Sequence, residues 1–468
     1  MNQRFLMSVA TETGIPSTIF RTFERLAALD PEAPAVFDHG RAVTRRELLQ
    51  SAVEISGRLQ EAGLIEGQAL AVQMRNSTEL LATIAASFQL RLTILSIDRD
   101  AKPQELGTVV SQFGARAFVR HGEGPEVSIQ PTGEQPSIAY RGALIKLTSG
   151  STGRPRGVLT TENNLIADCV NICTTMGIAP DDVNLGAIPF SHSYGFSNLV
   201  TPLLLQGTAV VASNDYMPLS LMELANRHGA TVFPGIPMIY DHLSRVPSED
   251  GTFRSVRTLI SAGAPLSPAI AKAFRELHGL SIHSFYGCSE CGGITYDRLG
   301  GAAERGTVGA PMKNVRVRVN PENDRLMVES DAVALGYIDG TEEEQARFEP
   351  GRFLTDDLVE WTDDGEVRIR GRATALINIA GKKVNPREVE NVILEMEGVR
   401  EVAVFGAPGG ARGEIVAAAV VADESVSRQA IREHCTTVLS THKVPRIVKL
   451  LDELPVDERG KVRKSELL

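Results

Sequence analysis

Apolar positions along the first two thirds of the chain switch repeatedly between helical and strand spacing. Thr44-Arg-Arg-Glu47 has the form of a capping box, in which a hydroxyl and a carboxylate each satisfy an orphan backbone N–H. Apolar residues follow at 48, 49, 52, 53, 55 and 59, one face of a helix, and Gly63 is placed to end it. Residues 69–74 read as a strand, Ser77 as the start of a second helix, and residues 92–97 as another strand. This alternation predicts an α/β fold: a large N-terminal domain of layered, mostly parallel β-sheets with helices.

The pattern breaks near residue 371. Residues 365–371 form a short alternating strand between glycines. Asn385-Pro386-Arg-Glu388 then sets an N-cap, an N1 proline and an N3 glutamate in series. That helix continues through Val389, Val392, Ile393 and Met396. Strands at 401–405 and 415–421 and a helix after Ser427 follow. The expected division is a large domain over residues 1–371 and a small mobile α+β domain over 372–468, within the usual domain size range.

Length and composition narrow the function classes. A chain of 468 residues exceeds one ordinary core. Its net charge of −10 disfavours nucleic acid, which needs a basic face. The opening residues lack the apolar stretch of a secretory leader. The apolar run over 199–211 is interrupted by Thr201, Pro202, Gln206 and Gly207, so no membrane span is expected. Cysteines 169, 173, 288, 291 and 435 form no disulfide pattern, which fits a reducing, cytoplasmic location. Cys288-Ser-Glu-Cys291 has no second pair at zinc-binding distance, and its thiols read as small pocket-wall or core residues.

The richest chemistry lies in Leu147-Thr-Ser-Gly-Ser-Thr-Gly-Arg-Pro-Arg-Gly157. Three glycines and four hydroxyl side chains fall within eleven residues. Glycines let backbone approach a ligand closely, and free N–H groups and hydroxyls suit phosphate oxygens. The apolar Ala143-Leu-Ile ahead of it reads as a strand end. The loop is not a Walker A motif, because Gly153 is followed by Arg154 and Pro155. A flexible Gly/Ser linker is the ordinary alternative, opposed by Pro155 and by apolar segments on both sides.

Further segments follow in order: Pro189-Phe-Ser-His192-Ser-Tyr-Gly195, Ser261-Ala-Gly-Ala-Pro265, Tyr286-Gly-Cys-Ser-Glu290 and Thr355-Asp-Asp357. Then come Gly371-Arg372 with Gly381-Lys-Lys-Val-Asn-Pro386, and Gly460-Lys461. Together with the loop, this set resembles the adenylate-forming superfamily of acyl- and aryl-CoA ligases, carrier-protein adenylation domains and luciferases. The resemblance covers nearly the whole chain.

It implies ATP-dependent activation of a carboxylic acid as acyl-AMP with release of pyrophosphate, followed by transfer to a thiol. Thr148, Ser149, Gly150, Ser151, Thr152, Gly153 and Arg156 would hold the β/γ-phosphates. Glu290 would bind Mg²⁺, as a hard oxygen ligand. Tyr286, with Gly287 and Ser289 behind it, would stack on adenine, and Gly263, Ala264 and Pro265 would cover the other face. Asp357 would accept both ribose hydroxyls and Arg372 would sit near ribose and phosphate. Lys461 would bridge the incoming carboxylate and the α-phosphate, stabilising charge at the reacting centre. His192 would act as gate and pocket wall; no partner for a histidine dyad is visible. Gly381, Lys382 and Lys383 would swing in for the thiol step as the small domain rotates.

Several positions depart from the resemblance. Arg156 stands for a lysine, Ser289 for a threonine and Asp356 for a glycine, while Thr374 and Ala375 follow Arg372 where a charged hinge residue is usual. Residues 193–203 contain no acid to pair with a substrate ammonium, which disfavours an α-amino acid. His192, Ser193, Tyr194, Phe196, Asn198, Ile236, Gly287 and Ile294 are expected to line the acid pocket, and its apolar members suit an aryl or medium-chain acyl acid. The acceptor is expected to be coenzyme A, with a carrier-protein phosphopantetheine as the alternative. Two rivals of other classes remain: a P-loop-like ATPase, opposed by the missing Walker lysine, and a catalytically silent nucleotide-binding homologue, opposed by Glu290, Asp357 and Lys461.

Overall fold

Strong local signals start the helices where the sequence places them. Thr44 caps the helix Arg45–Glu61, and both capping-box bonds to Glu47 form. Ser77 caps Thr78–Gln89, and Ser427 caps Arg428–Val438. In the computed structural model, the described residues are 17–101, 103–122, 127–133, 139–149, 155–247, 252–373, 377–379, 382–408, 414–439, 441–457, 462–463 and 466–467.

Two large sheets carry the N-terminal part. The first has seven strands and runs parallel through Leu144–Ser149, Thr93–Ser96, Ala69–Gln73 and Ala117–His121. Pro155–Thr160 pairs antiparallel with Leu144–Ser149. The second has nine strands, parallel from Ile282–Cys288 through Thr258–Ser261, Val232–Gly235, Val183–Gly186 and Ala209–Ala212 to Pro34–Asp38. Their central strands are buried nearly throughout, as parallel strands covered on both faces must be.

A third, antiparallel sheet contains Arg352–Trp361 and Val367–Arg372. Beyond it, Val399–Pro408, Glu414–Ala422 and Ile447–Leu451 form a three-stranded sheet. Helices Pro386–Leu394 and Arg428–Val438 contribute to the core beside it, which is built wholly from residues 377–448. The expected α/β architecture, with a large N-terminal and a small C-terminal part, is what folds. No helix among the described residues is long and apolar enough to cross a membrane.

Candidate active site

Parallel α/β sheets present ligands at the carboxyl ends of their strands. A cavity of about 220 Å³ lies at such ends in both large sheets. Ser96, Lys146 and Leu147 come from the seven-stranded sheet. Ile188, Ile236, Ala262, Gly263 and Cys288 come from the ends of strands in the nine-stranded one. The segment from Ser191 to Gly195, with Ser197, closes a side. Gly195 is required there, because a Cβ would lie 2.0 Å from the Pro189 carbonyl oxygen. Gly263 turns with φ +87°, which side chains rarely adopt.

His192 does have a partner. Its Nε2 lies 3.3 Å from Oδ2 of Asp98, just beyond the strand Thr93–Ser96. Across the cavity, the hydroxyls of Ser193 and Ser289 are 2.8 Å apart. Next to Ser289, Oε1 of Glu290 accepts from the Tyr337 hydroxyl at 2.6 Å. Burial and the Glu290 charge push the Tyr337 phenol well above its ordinary value, so it stays a donor.

The other carboxylate is built from register. Asp357 and Arg372 are direct partners across antiparallel strands. Arg372 Nε donates to Asp357 Oδ1 at 2.7 Å, and the Tyr286 hydroxyl donates to Oδ2 at 2.5 Å. The Asp357 charge raises the Arg372 value further, and burial followed by the same charge raises that of Tyr286. Each Asp357 oxygen keeps a lone-pair site, since a carboxylate offers about four.

This geometry can be set beside known proteins. Residues 23–142 and 134–338 match the family model for AMP-binding enzyme, and residues 388–461 match that for the AMP-binding enzyme C-terminal domain. The chain belongs to the AMP-binding enzyme family. A feruloyl-CoA synthase of an Amycolatopsis species is 28% identical over 476 residues, covering 95% of this chain and 97% of that protein. A sulfoacetate–CoA ligase of Cupriavidus necator is 27% identical over 508 residues, covering 99% of each. Among solved structures, ATP-bound MatB from Rhodopseudomonas palustris aligns with a TM-score of 0.83 at 26% identity, covering 97% of this chain and 98% of that one.

In this AMP-binding enzyme the cavity wall differs from the sequence expectation. His192, Ser193, Tyr194, Ile236 and Gly287 line it. Phe196, Asn198 and Ile294 do not; they are 1%, 0% and 0% exposed, packed behind the wall. Ser197 follows the cavity-lining Ser193 by four residues and shares its helix face, while Phe196 packs into the core. The wall instead gains Ser96, Lys146 and Ser191 beside the apolar Leu147, Ile188, Pro189, Ala262 and Phe285, so a few polar groups stand in a mainly apolar lining. Lys146 and Asp98 escaped the sequence reading. A lysine within the apolar strand Leu144–Ser149, and an acid one residue beyond the predicted strand 92–97, were the signals that existed.

Arg156 is tied to protein neighbours. Its Nη1 bonds Glu344 Oε1 at 2.5 Å, and the guanidinium lies 4.8 Å from the Tyr337 ring centroid. Arg156→Met is therefore expected to lower stability by about 1–2 kcal/mol, with the KM for ATP changed less than about threefold. Thermal melts and ATP kinetics check this. Asp356 is neutralised by Arg325 at 2.9 Å and Arg347 at 2.8 Å, on the strand face opposite Asp357. Its charge does not compete at the Asp357 carboxylate.

The strands that flank the loop pair antiparallel, with Thr148 opposite Arg156 and Ser149 opposite Pro155. Gly150, Ser151, Thr152, Gly153, Thr374, Ala375, Gly381 and Lys461 lie outside the described residues, as do the side chains of Ser149, Lys382 and Lys383. Ala264 and Pro265 flank Gly263 off the cavity wall. Contact with Cys291 and burial push the Cys288 thiol up, which keeps it a neutral wall residue.

The donors fit a magnesium ion. Tyr337 fixes one Glu290 oxygen, and the Thr148 hydroxyl is buried with no hydrogen-bond partner among the described residues. Mg²⁺ takes one or two carboxylates and completes its shell with phosphate and water oxygens.

Proposed function

We propose that this AMP-binding enzyme is a Mg²⁺- and ATP-dependent acid–thiol ligase with coenzyme A as acceptor. It is an AMP-forming ligase. A carboxylate oxygen attacks the α-phosphorus as the bond to pyrophosphate breaks. Sulfur then attacks the acyl carbon as the bond to AMP breaks. The observation that supports this reading is the meeting, at the strand ends of both large sheets, of the His192 segment, the Tyr286–Glu290 turn and Lys146-Leu147 of the strand that leads into the phosphate-type loop.

The roles follow from charge. Thr148 and its loop grip the β/γ-phosphates. Glu290 holds the metal, which would neutralise charge on the phosphates. Asp357 takes the ribose diol with its remaining lone pairs, while Tyr286 and Arg372 fix its position. Lys461 comes from the small domain, residues 372–468, to bridge the two reacting anions. The same domain then rotates to bring Gly381, Lys382 and Lys383 to the thiol step. Asp98 orients His192, which separates the acid cavity from the thiol path. Cysteine usage supports a cytoplasmic location.

The named relatives act on acids as different as feruloyl and sulfoacetate, so the acid must be read from the cavity itself. Acid-dependent ATP–pyrophosphate exchange over a panel of aryl, acyl and amino acids is expected to respond to a subset of acids. CoA and a carrier protein are then compared as acceptors. ATP binding with no exchange for any acid would make the chain a silent nucleotide-binding homologue.

A further inference from the structure

Lys146 is the one basic side chain on the cavity wall apart from His192 among the described residues. It sits in the strand Leu144–Ser149, directly paired with Ser96 of the neighbouring strand, so both side chains share a sheet face. It is 5% exposed. An ammonium has three donors. The contact found for it is a long one, 3.5 Å from Nζ to the Ser289 carbonyl oxygen. No carboxylate among the described residues lies within ion-pair distance of it. His192 is already engaged with Asp98, and Tyr337 holds Glu290.

A buried ammonium without a partner anion is costly, and native proteins keep one where a ligand supplies the anion. Thr148, two residues on along the same strand face, stands about 7 Å further toward the phosphate loop. Lys146 is thus set deeper than the phosphate grip, on the wall of the acid cavity. Of the wall serines, Ser96 donates to the Ser191 carbonyl and Ser197 to Asp168, while the bonded Ser193–Ser289 pair keeps one hydroxyl proton to offer, and the cavity volume of about 220 Å³ suits a compact molecule.

We infer that Lys146 recognises a second anionic group on the substrate, and that the enzyme activates compact carboxylic acids bearing one, such as dicarboxylates or sulfocarboxylates. The inference rests on the ligase reading above and adds the substrate class to it. The distal anion pairs with the ammonium and accepts from the Ser193–Ser289 hydroxyl pair, leaving the other carboxylate pointing at the nucleotide. An acid with an apolar tail strands the ammonium, and loses accordingly.

Matched acids test this through ATP–pyrophosphate exchange: propanoate against malonate, propanoate against 3-sulfopropanoate, and butanoate against succinate. The wild type is expected to favour the charged member of at least one pair by about 10–100-fold in kcat/KM, the worth of a charge-assisted hydrogen bond. Lys146→Met is expected to bring that ratio to within about threefold of one, and Lys146→Arg to keep a preference for the charged member. Without substrate, Lys146→Met is expected to melt no lower than the wild type, since it removes an unpaired buried charge. A wild type that prefers the uncharged members overturns the inference and leaves the ligase reading standing. So does an unchanged ratio in Lys146→Met, which would assign the ammonium to the reacting carboxylate or to phosphate. Should Lys146→Met not fold, the wild-type preference decides alone. No exchange with any acid overturns both readings.

Discussion

Replacing Lys461 with alanine is expected to lower acid-dependent ATP–pyrophosphate exchange by about 10²–10³-fold, the usual loss when one donor to developing charge is removed. Two anions meet in the first half-reaction, and if the Lys461 ammonium bridges them, as proposed, its removal is felt most there. The second half-reaction brings a thiol to a neutral acyl carbon, so it does not need that charge. Conversion of preformed acyl-adenylate and CoA to thioester is therefore expected to survive in the same variant. Rapid-quench assay of each half-reaction measures the split. Equal loss in both would contradict a small domain that serves the two steps in different orientations.

The second large effect is expected at Asp357. Alanine there removes the acceptor of the Tyr286 hydroxyl and the partner of Arg372. A buried hydroxyl left unpaired costs about 1–3 kcal/mol. Arg372 is 54% exposed, so water replaces much of what it loses. Stability should thus fall mainly through Tyr286. If the remaining lone pairs of Asp357 bind the ribose diol, the KM for ATP also rises, by about 10²-fold for two charge-assisted bonds. Tyr286→Phe separates the two effects: it removes one hydrogen bond but keeps the carboxylate and its ion pair. That variant is expected to change the KM for ATP by less than about fivefold. An Asp357→Ala enzyme with unaltered ATP kinetics would restrict the carboxylate to holding the strands together.

What the chain reveals locally, it reveals well. The caps at Thr44, Ser77 and Ser427 are bonds between near neighbours, and each starts its helix as the sequence implies. The Asn385-Pro386 start also forms, although Glu388 leaves its own backbone and pairs with Lys443 instead. The motifs likewise bring Ser193 to Ser289 and Tyr286 to Asp357. Facing is less legible. A motif marks a segment, yet only the folded helix shows that Ser197 faces the cavity and Phe196 the core.

Long-range pairing is the least legible part. Asp98 and His192 stand 94 residues apart, and nothing near either of them in sequence announces the other. Asp356 looks like a liability beside Asp357 until strand alternation sends it to Arg325 and Arg347. Asp168 is similar. It is buried in the helix Glu162–Met176, and it fixes the hairpin after Glu290 by accepting from Ser197 and from the Gly293 N–H at 2.9 Å. Each of these charges is placed by the sheets, and only the folded chain shows whether it serves a ligand or a neighbour.

The most direct measurement follows oxygen. The preferred acid, labelled with ¹⁸O in its carboxylate, is turned over with ATP and CoA, and the products are weighed by mass spectrometry. Attack of the carboxylate on the α-phosphorus leaves one labelled oxygen in AMP after thiol capture, and none in pyrophosphate. Label in orthophosphate, or AMP without label, would contradict adenylation of the acid at this site.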